Sequence, residues 1–243
     1  MKTLIIIPSR LSATRLPGKP LFKIDGLSLI THVFKKAENA NIGEVVVAAE
    51  DQEIVDDVRK NGGQAILTNR NHKTGTDRIF EALTRLNKPD IDLVMNLQGD
   101  EPLMNAGDIK NLNDKMIERN SCFGTLASKI RDEDFYQNPN IVKVITKEEL
   151  TKNQFTEAKE FTRLTLNKIN TYHHLGIYCY QLETLKKFVS LKQSENEIKD
   201  KLEQLRALDN NISINVALAK FSPIGVDTME DFVAIKKIME YKT

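Results

Sequence analysis

Three fixed cations stand within ten residues of one another near the start of the chain, in the run Ile5-Ile6-Ile7-Pro8-Ser9-Arg10-Leu11-Ser12-Ala13-Thr14-Arg15-Leu16-Pro17-Gly18-Lys19-Pro20. Arg10, Arg15 and Lys19 are interleaved there with the hydroxyls of Ser9, Ser12 and Thr14 and with a Pro-Gly turn. Guanidinium and ammonium groups beside hydroxyl donors suit a polyanion such as a triphosphate. The plainer alternative is a solvated basic loop. Against it stands the position of the loop, directly after an apolar run that reads as a buried strand, where α/β sheets bind ligands.

A second group, Gln98-Gly99-Asp100-Glu101-Pro102, follows another apolar run. Carboxylates near bound phosphates commonly hold Mg²⁺, which takes oxygen ligands and keeps several waters. Asp100 is the candidate; Gly99 permits a tight turn or a close approach, and Glu101 and Pro102 need only shape that turn. Asp227, in Gly225-Val226-Asp227-Thr228, is either a turn residue or a second metal ligand, while Thr228 with Asp231 also fits a helix cap. Spacing cannot show whether Asp100 and Asp227 meet. Thr74-Gly75-Thr76-Asp77-Arg78 offers hydroxyls, amides and a cation for a base or ribose, or an N-cap by Thr74 or Thr76. In His173-His174-Leu175-Gly176-Ile177-Tyr178-Cys179-Tyr180, adjacent histidines on a strand point to opposite faces and make a poor metal pair. His174, Gly176, Tyr178 and Tyr180 share the other face, as a pocket wall or as ordinary packing. No P-loop or G-x-G-x-x-G pattern occurs, which argues against a P-loop phosphotransferase or a Rossmann dehydrogenase.

The elements that position these groups follow from hydrophobic period. Thr3–Ile7, 44–49, 64–67 and 92–97 read as strands, separated by helical patterns around 29–37, 54–58 and 78–86. Alternation of this kind predicts parallel β-α-β units and a doubly wound sheet, a three-layer α/β fold. Beyond residue 100 the pattern predicts helices over 106–118, 182–189, 198–208 and 229–241. It predicts strands over 123–128, 141–146, 175–180 and 212–218. Residues 147–171, rich in Lys, Asn and Thr, give no clear period. A single domain over 1–243 with a β-rich excursion near 120–180 is expected.

The composition narrows the partners. With 243 residues the chain can bury a sizeable core, and 35 basic against 34 acidic residues leave a net charge of +1. A nucleic-acid binder that relies on bulk charge carries a marked basic excess, so nucleic acid is not an expected partner. No run is long and apolar enough to span a bilayer, and no signal peptide precedes the first strand. Cys122 and Cys179 have neither metal-ligand spacing nor a disulfide-framework count, so a reducing, cytoplasmic location is expected.

Taken together, Arg10 to Leu21, Thr74 to Arg78, Gln98 to Pro102, Asn138 to Val144, His174 to Tyr180, Leu202 to Leu208 and Gly225 to Thr228 resemble, in order, the bacterial 3-deoxy-manno-octulosonate (Kdo) cytidylyltransferases, or CMP-Kdo synthetases. The resemblance covers nearly the whole chain. It implies a nucleotide-diphosphosugar-transferase-like α/β/α fold, a homodimer, and transfer of CMP from CTP to Kdo with release of pyrophosphate, a step toward lipopolysaccharide. It further implies that Arg10, Arg15 and Lys19 grip the CTP phosphates, that Thr74, Gly75, Arg78 and Gln98 help bind the nucleotide, and that Asp100 and Asp227 hold Mg²⁺. Arg10, Lys19, Asp100 and Asp227 are then the catalytic set. Gln98, Arg163, His174, Tyr178, Glu203 and Gln204 would contact the sugar acid. One stretch departs: the family's Tyr-Phe-Ser-Arg segment, followed by Ile-Pro, is here Glu160-Phe161-Thr162-Arg163 with no proline after it. The departure puts Arg163 and the identity of the sugar acid in question. An 8-amino variant of Kdo, a sialic-acid-like nonulosonate, or a catalytically silent nucleotide-binding homologue are the other expectations.

Overall fold

The computed structural model describes residues 1–12 and 15–241; Thr14, one of the loop hydroxyls singled out above, lies outside them. The chain folds into two compact units, Lys2–Ile109 together with the segment from Pro223 onward, and Lys110–Ser222.

The first unit is the parallel one. Strand β1 (Thr3–Ser9) runs two residues further than its apolar core predicts, and Leu4, Ile5, Ile6 and Ile7 are fully buried. Burial of each such side chain contributes about 1.5–3 kcal/mol, which makes this strand the centre of the unit. A short hairpin follows, β2 (Lys23–Ile24) and β3 (Leu27–Ser28), joined by Asp25 and Gly26, both at positive φ, as a two-residue primed turn requires. Helix α1 (Leu29–Glu38) starts where the Ser28 hydroxyl caps Thr31 N–H at 3.2 Å. Then come β4 (Gly43–Ala49), α2 (Gln52–Lys60), β5 (Ala65–Leu67), α3 (Gly75–Leu86) and β6 (Leu93–Asn96). The strands stand in the order β5-β4-β1-β6 and every pair is parallel, with the helices packed on them. The predicted β-α-β reading of this part therefore holds.

After α4 (Ala106–Glu118) the second unit is mostly antiparallel. Its strands are β7 (Phe123–Ser128), β8 (Lys143–Thr146), β9 (Phe155–Thr162) and β10 (Thr171–Gln181), followed by α5 (Leu182–Ser190), α6 (Glu195–Asp200), α7 (Leu205–Asp209) and β11 (Asn215–Leu218). β7 lies between β10, antiparallel to it, and β11, parallel to it. β9 pairs with both β11 and β8, antiparallel in each case, and β10 also pairs with β8. The chain then returns to the first unit and ends in α8 (Met229–Glu240).

Two expectations need correction. The aperiodic stretch 147–171 contains β9, an eight-residue strand whose burial is too uneven to show as a period. The single helix expected over 198–208 is two short helices, because Lys201 adopts a left-handed conformation with φ of 54° and stops α6. Elsewhere the boundaries shift by a few residues, as β10, which starts at Thr171 rather than at Leu175, illustrates.

Candidate active site

The basic loop hangs from the end of β1 and is tied down by carboxylates from the end of β4. Leu11 N–H donates to Asp51 Oδ2 at 2.8 Å, and the Ser12 hydroxyl donates to Glu50 Oε1 at 2.7 Å. Gly18 N–H donates to Leu11 O at 2.9 Å and closes the loop on itself. Gly18 has φ of 75°, a conformation that glycine adopts without steric cost. The hydroxyls play different parts: Ser9 Oγ is buried with no hydrogen-bond partner among the described residues, whereas Ser12 serves as the tether.

The two aspartates do meet. Lys19 Nζ sits 2.8 Å from Asp100 Oδ2 and 3.8 Å from Asp227 Oδ1, and donates to Val226 O as well. Arg15 pairs with Asp227 Oδ1 at 2.8 Å, and Val226 N–H donates to Asp100 O at 2.9 Å, holding the late segment against the earlier one. Arg10 is exposed and makes no ion pair among the described residues. Gly99 permits the close approach anticipated for it, to backbone: an added Cβ would lie 3.0 Å from Pro8 O. Thr228 caps α8 in a capping box with Asp231, as one of its two readings anticipated.

Glu101 is the surprise of this cluster. Burial, then the charges of Asp100 and Asp227, push its pKa up to about 8, and its Oε2 has no hydrogen-bond partner among the described residues. Removal from water is the larger cause, and the neighbouring carboxylates add to it. The set is all oxygen, with no histidine or thiolate, which fits a hard divalent cation. Among the described residues no three His, Cys, Asp or Glu side chains cluster tightly enough to enclose a metal. Asp100 and Asp227 would thus supply only part of a coordination shell, as Mg²⁺ sites commonly do.

The third segment divides. Thr74 is the N-cap of α3, its side chain accepting from Asp77 N–H at 3.2 Å. Arg78 is buried, and its guanidinium donates to Thr68 Oγ1 at 2.7 Å, Asn69 O at 3.0 Å and Glu50 Oε2 at 2.6 Å. Its bonds thus anchor the same Glu50 that holds Ser12. Gly75 opens α3, and Gln98 is half-buried, its amide donating to Asn96 Oδ1 at 3.3 Å.

The remaining candidates lie in the second unit. His174 is buried on β10 with Phe161 edge-on at 5.0 Å and Tyr178 at 5.5 Å. Burial, and to a lesser degree His173, push its pKa down to about 3, so the ring is neutral. The Tyr178 hydroxyl donates to Gln204 Oε1 at 3.0 Å, leaving Gln204 Nε2 buried without a partner. Glu203 is half-buried beside it, before α7. Arg163 donates to three backbone carbonyls: Asp200 at 2.7 Å, Pro139 at 3.0 Å and Lys201 at 3.3 Å. It ties down the loop that leads into Glu203 and Gln204. Lys143, fully buried, donates to the carbonyls of Asn138 at 2.9 Å and Ile141 at 2.7 Å, and to that of Arg163.

Comparison with known proteins fits this arrangement. The model of a family described as cytidylyltransferase matches residues 4–214. The 3-deoxy-manno-octulosonate cytidylyltransferase of Rhodopseudomonas palustris (strain BisB18) is 42% identical over 244 residues, covering 99% of this chain and 98% of that protein. The chain belongs to the 3-deoxy-manno-octulosonate cytidylyltransferase family. Its counterpart from Thermodesulfovibrio yellowstonii is 40% identical over 255 residues, covering 98% of each chain. Among solved structures, a CMP:2-keto-3-deoxy-manno-octonic acid synthetase complexed with CTP superposes with a TM-score of 0.89 at 32% identity, covering all of both chains. A UDP-glucose pyrophosphorylase complexed with UDP-glucose, 13% identical with a TM-score of 0.72, shares the fold. The nucleotidyltransferase-like α/β fold expected from the sequence is confirmed.

Proposed function

We propose that this chain transfers CMP from CTP to the anomeric hydroxyl of Kdo, giving CMP-Kdo for lipopolysaccharide assembly and releasing pyrophosphate. The observation that carries the reading is the convergence of Lys19, Asp100 and Asp227, a cation and two carboxylates on one point beside a tethered basic loop. Family membership adds the substrate pair, since the relatives are named for it and a solved counterpart is titled as complexed with CTP. Cytoplasmic location and a homodimer, with neither membrane nor nucleic acid as partner, complete the proposal.

On this reading the basic loop and its neighbours bind the nucleotide. Arg10, Arg15 and Lys19 face the phosphates, and Lys19 offsets the charge that grows on the departing pyrophosphate. Asp100 and Asp227 would hold Mg²⁺, which when bound supplies Lewis acidity and lowers the pKa of a coordinated hydroxyl. His174, Tyr178 and Gln204 would contact the sugar acid. The hydroxyl attacks the α-phosphorus in line, with no covalent enzyme intermediate, so the side chains work by positioning and charge.

The decisive assay is pyrophosphate release with CTP and Mg²⁺ across Kdo, 8-amino-Kdo and a sialic acid. Turnover with Kdo is expected. Turnover confined to either of the others would reassign the sugar, and no release with any sugar acid would leave a silent nucleotide-binding protein. Asp100→Asn should abolish turnover while leaving the fold intact by circular dichroism.

A further inference from the structure

Thr125 lies at the middle of β7 with no exposed surface, opposite an irregularity in β10. Leu175 pairs with Leu126 and Tyr178 pairs with Thr125, so Gly176 and Ile177 have no opposite residue on β7. This two-residue bulge aims carbonyls of β10 at the threonine. Thr125 Oγ1 lies 2.7 Å from Ile177 O and 3.3 Å from Leu175 O, and 3.1 Å from Nε2 of His174.

These distances fix the direction of every bond. A hydroxyl has one proton, and carbonyl oxygens can only accept. At 2.7 Å from Ile177 O, Oγ1 must donate there, since two bare oxygens at that separation would repel. The hydroxyl then meets His174 Nε2 with a lone pair, so Nε2 must carry the hydrogen. A neutral imidazole has one N–H. Nδ1 is therefore bare, and among the described residues it makes no hydrogen bond.

We propose that Thr125 is a positioning residue that locks His174 as its Nε2–H tautomer, so that Nδ1 accepts a hydrogen bond from a hydroxyl of the sugar acid. The inference rests on the functional reading above and adds to it a polarity. His174 can recognise a hydroxyl, which donates, and cannot recognise the carboxylate, which only accepts. A donor for the sugar's acceptor atoms is available separately, in the buried and unpartnered Gln204 Nε2. The bulge is part of the device, because a regular ladder would not bring the Ile177 carbonyl to Thr125.

The test uses the full chain labelled with ¹⁵N-histidine, its four imidazoles resolved by long-range ¹H–¹⁵N correlation. His174 is assigned by the signals absent from the His174→Gln spectrum. The expected result is a pyrrole-type Nε2 and a pyridine-type Nδ1 on His174. In Thr125→Val, which keeps the shape and removes the hydroxyl, the two shifts should move toward an averaged or reversed tautomer. The KM for Kdo should rise about tenfold, the loss of one hydrogen bond, with the KM for CTP unchanged. Thr125→Ser should restore both. A protonated Nδ1 in the native protein would overturn the proposal, and so would a Val variant with native His174 shifts or a native KM for Kdo. Should the Val variant fail to fold, the native spectrum and the Ser variant still decide. A native enzyme inactive with every sugar acid, yet showing the Nε2–H tautomer, would sink the functional reading and leave the action of Thr125 on His174 standing.

Discussion

The Glu50 carboxylate divides its two oxygens between Ser12, on the basic loop, and Arg78, in the core of the first unit. Through it a buried ion pair fixes the basic loop, and on the proposed function the entropy of ordering that loop is spent before a nucleotide arrives. Ser12→Ala should therefore raise the KM for CTP about fivefold, the worth of roughly 1 kcal/mol of hydrogen bonding. Stability should hardly change; steady-state kinetics beside urea unfolding separates the two effects. A second prediction concerns His174, held neutral with a pKa of about 3 against an ordinary 6.5, with His173 lowered to about 4 in the same sense. Below pH 6.5 the unfolded chain takes up protons that the folded one refuses, so stability falls as pH falls toward those values. His174 alone should cost about 2 kcal/mol between pH 6.5 and 5, and His174→Gln should flatten that part of the decline in urea midpoints. Lys19, Asp100 and Asp227 were legible in the sequence by type and by neighbours. Glu50, Glu101 and Thr125 were not: burial sets Glu101 apart and partners 28 to 52 residues away set Glu50 and Thr125 apart, and neither is written locally.

At the scale of elements, strongly periodic segments gave themselves away: α4 and β7 start and end where the pattern places them. The failures share a cause. The run 195–209 contains no glycine or proline to announce a break, yet α6 ends at Asp200 with Lys201 left-handed, where Arg163 donates to the carbonyls of both residues. Tertiary bonds meet the chain where the helix stops, and propensity cannot foresee them. Lys201 thus tolerates a left-handed backbone that glycine would adopt freely. Lys201→Gly is expected to stabilise the protein by about 0.5–1 kcal/mol, read as a higher urea midpoint with an unchanged slope. Strand β9 escaped notice for a related reason. Its outward positions carry Glu and Lys, and its inward ones include Thr and Ala, so alternation is too weak to register.

For the molecule as a whole, 35 basic and 34 acidic residues nearly cancel, and the charge that matters is gathered locally around Lys19 and the loop before it. With a pI of about 7.7, the net charge vanishes just above neutrality, where mutual repulsion is least. Solubility should therefore pass through a minimum near that pH and recover on both sides, as precipitation midpoints in polyethylene glycol from pH 6 to 9 would show; a monotonic trend would contradict this. The α/β class and the parallel first half were readable because alternating strands and helices leave few topologies. The mostly antiparallel second unit was less so, since its strand order depends on pairings between distant segments. One feature of that unit bears on how the sequence can drift. Lys143 and Arg163 between them hold six carbonyls, those of residues 138, 139, 141, 163, 200 and 201. A carbonyl belongs to the chain whatever side chain it carries. The clamp thus recognises the path of the backbone rather than its letters, leaving the other five positions, 138, 139, 141, 200 and 201, free to vary on this account while Lys143 and Arg163 are held.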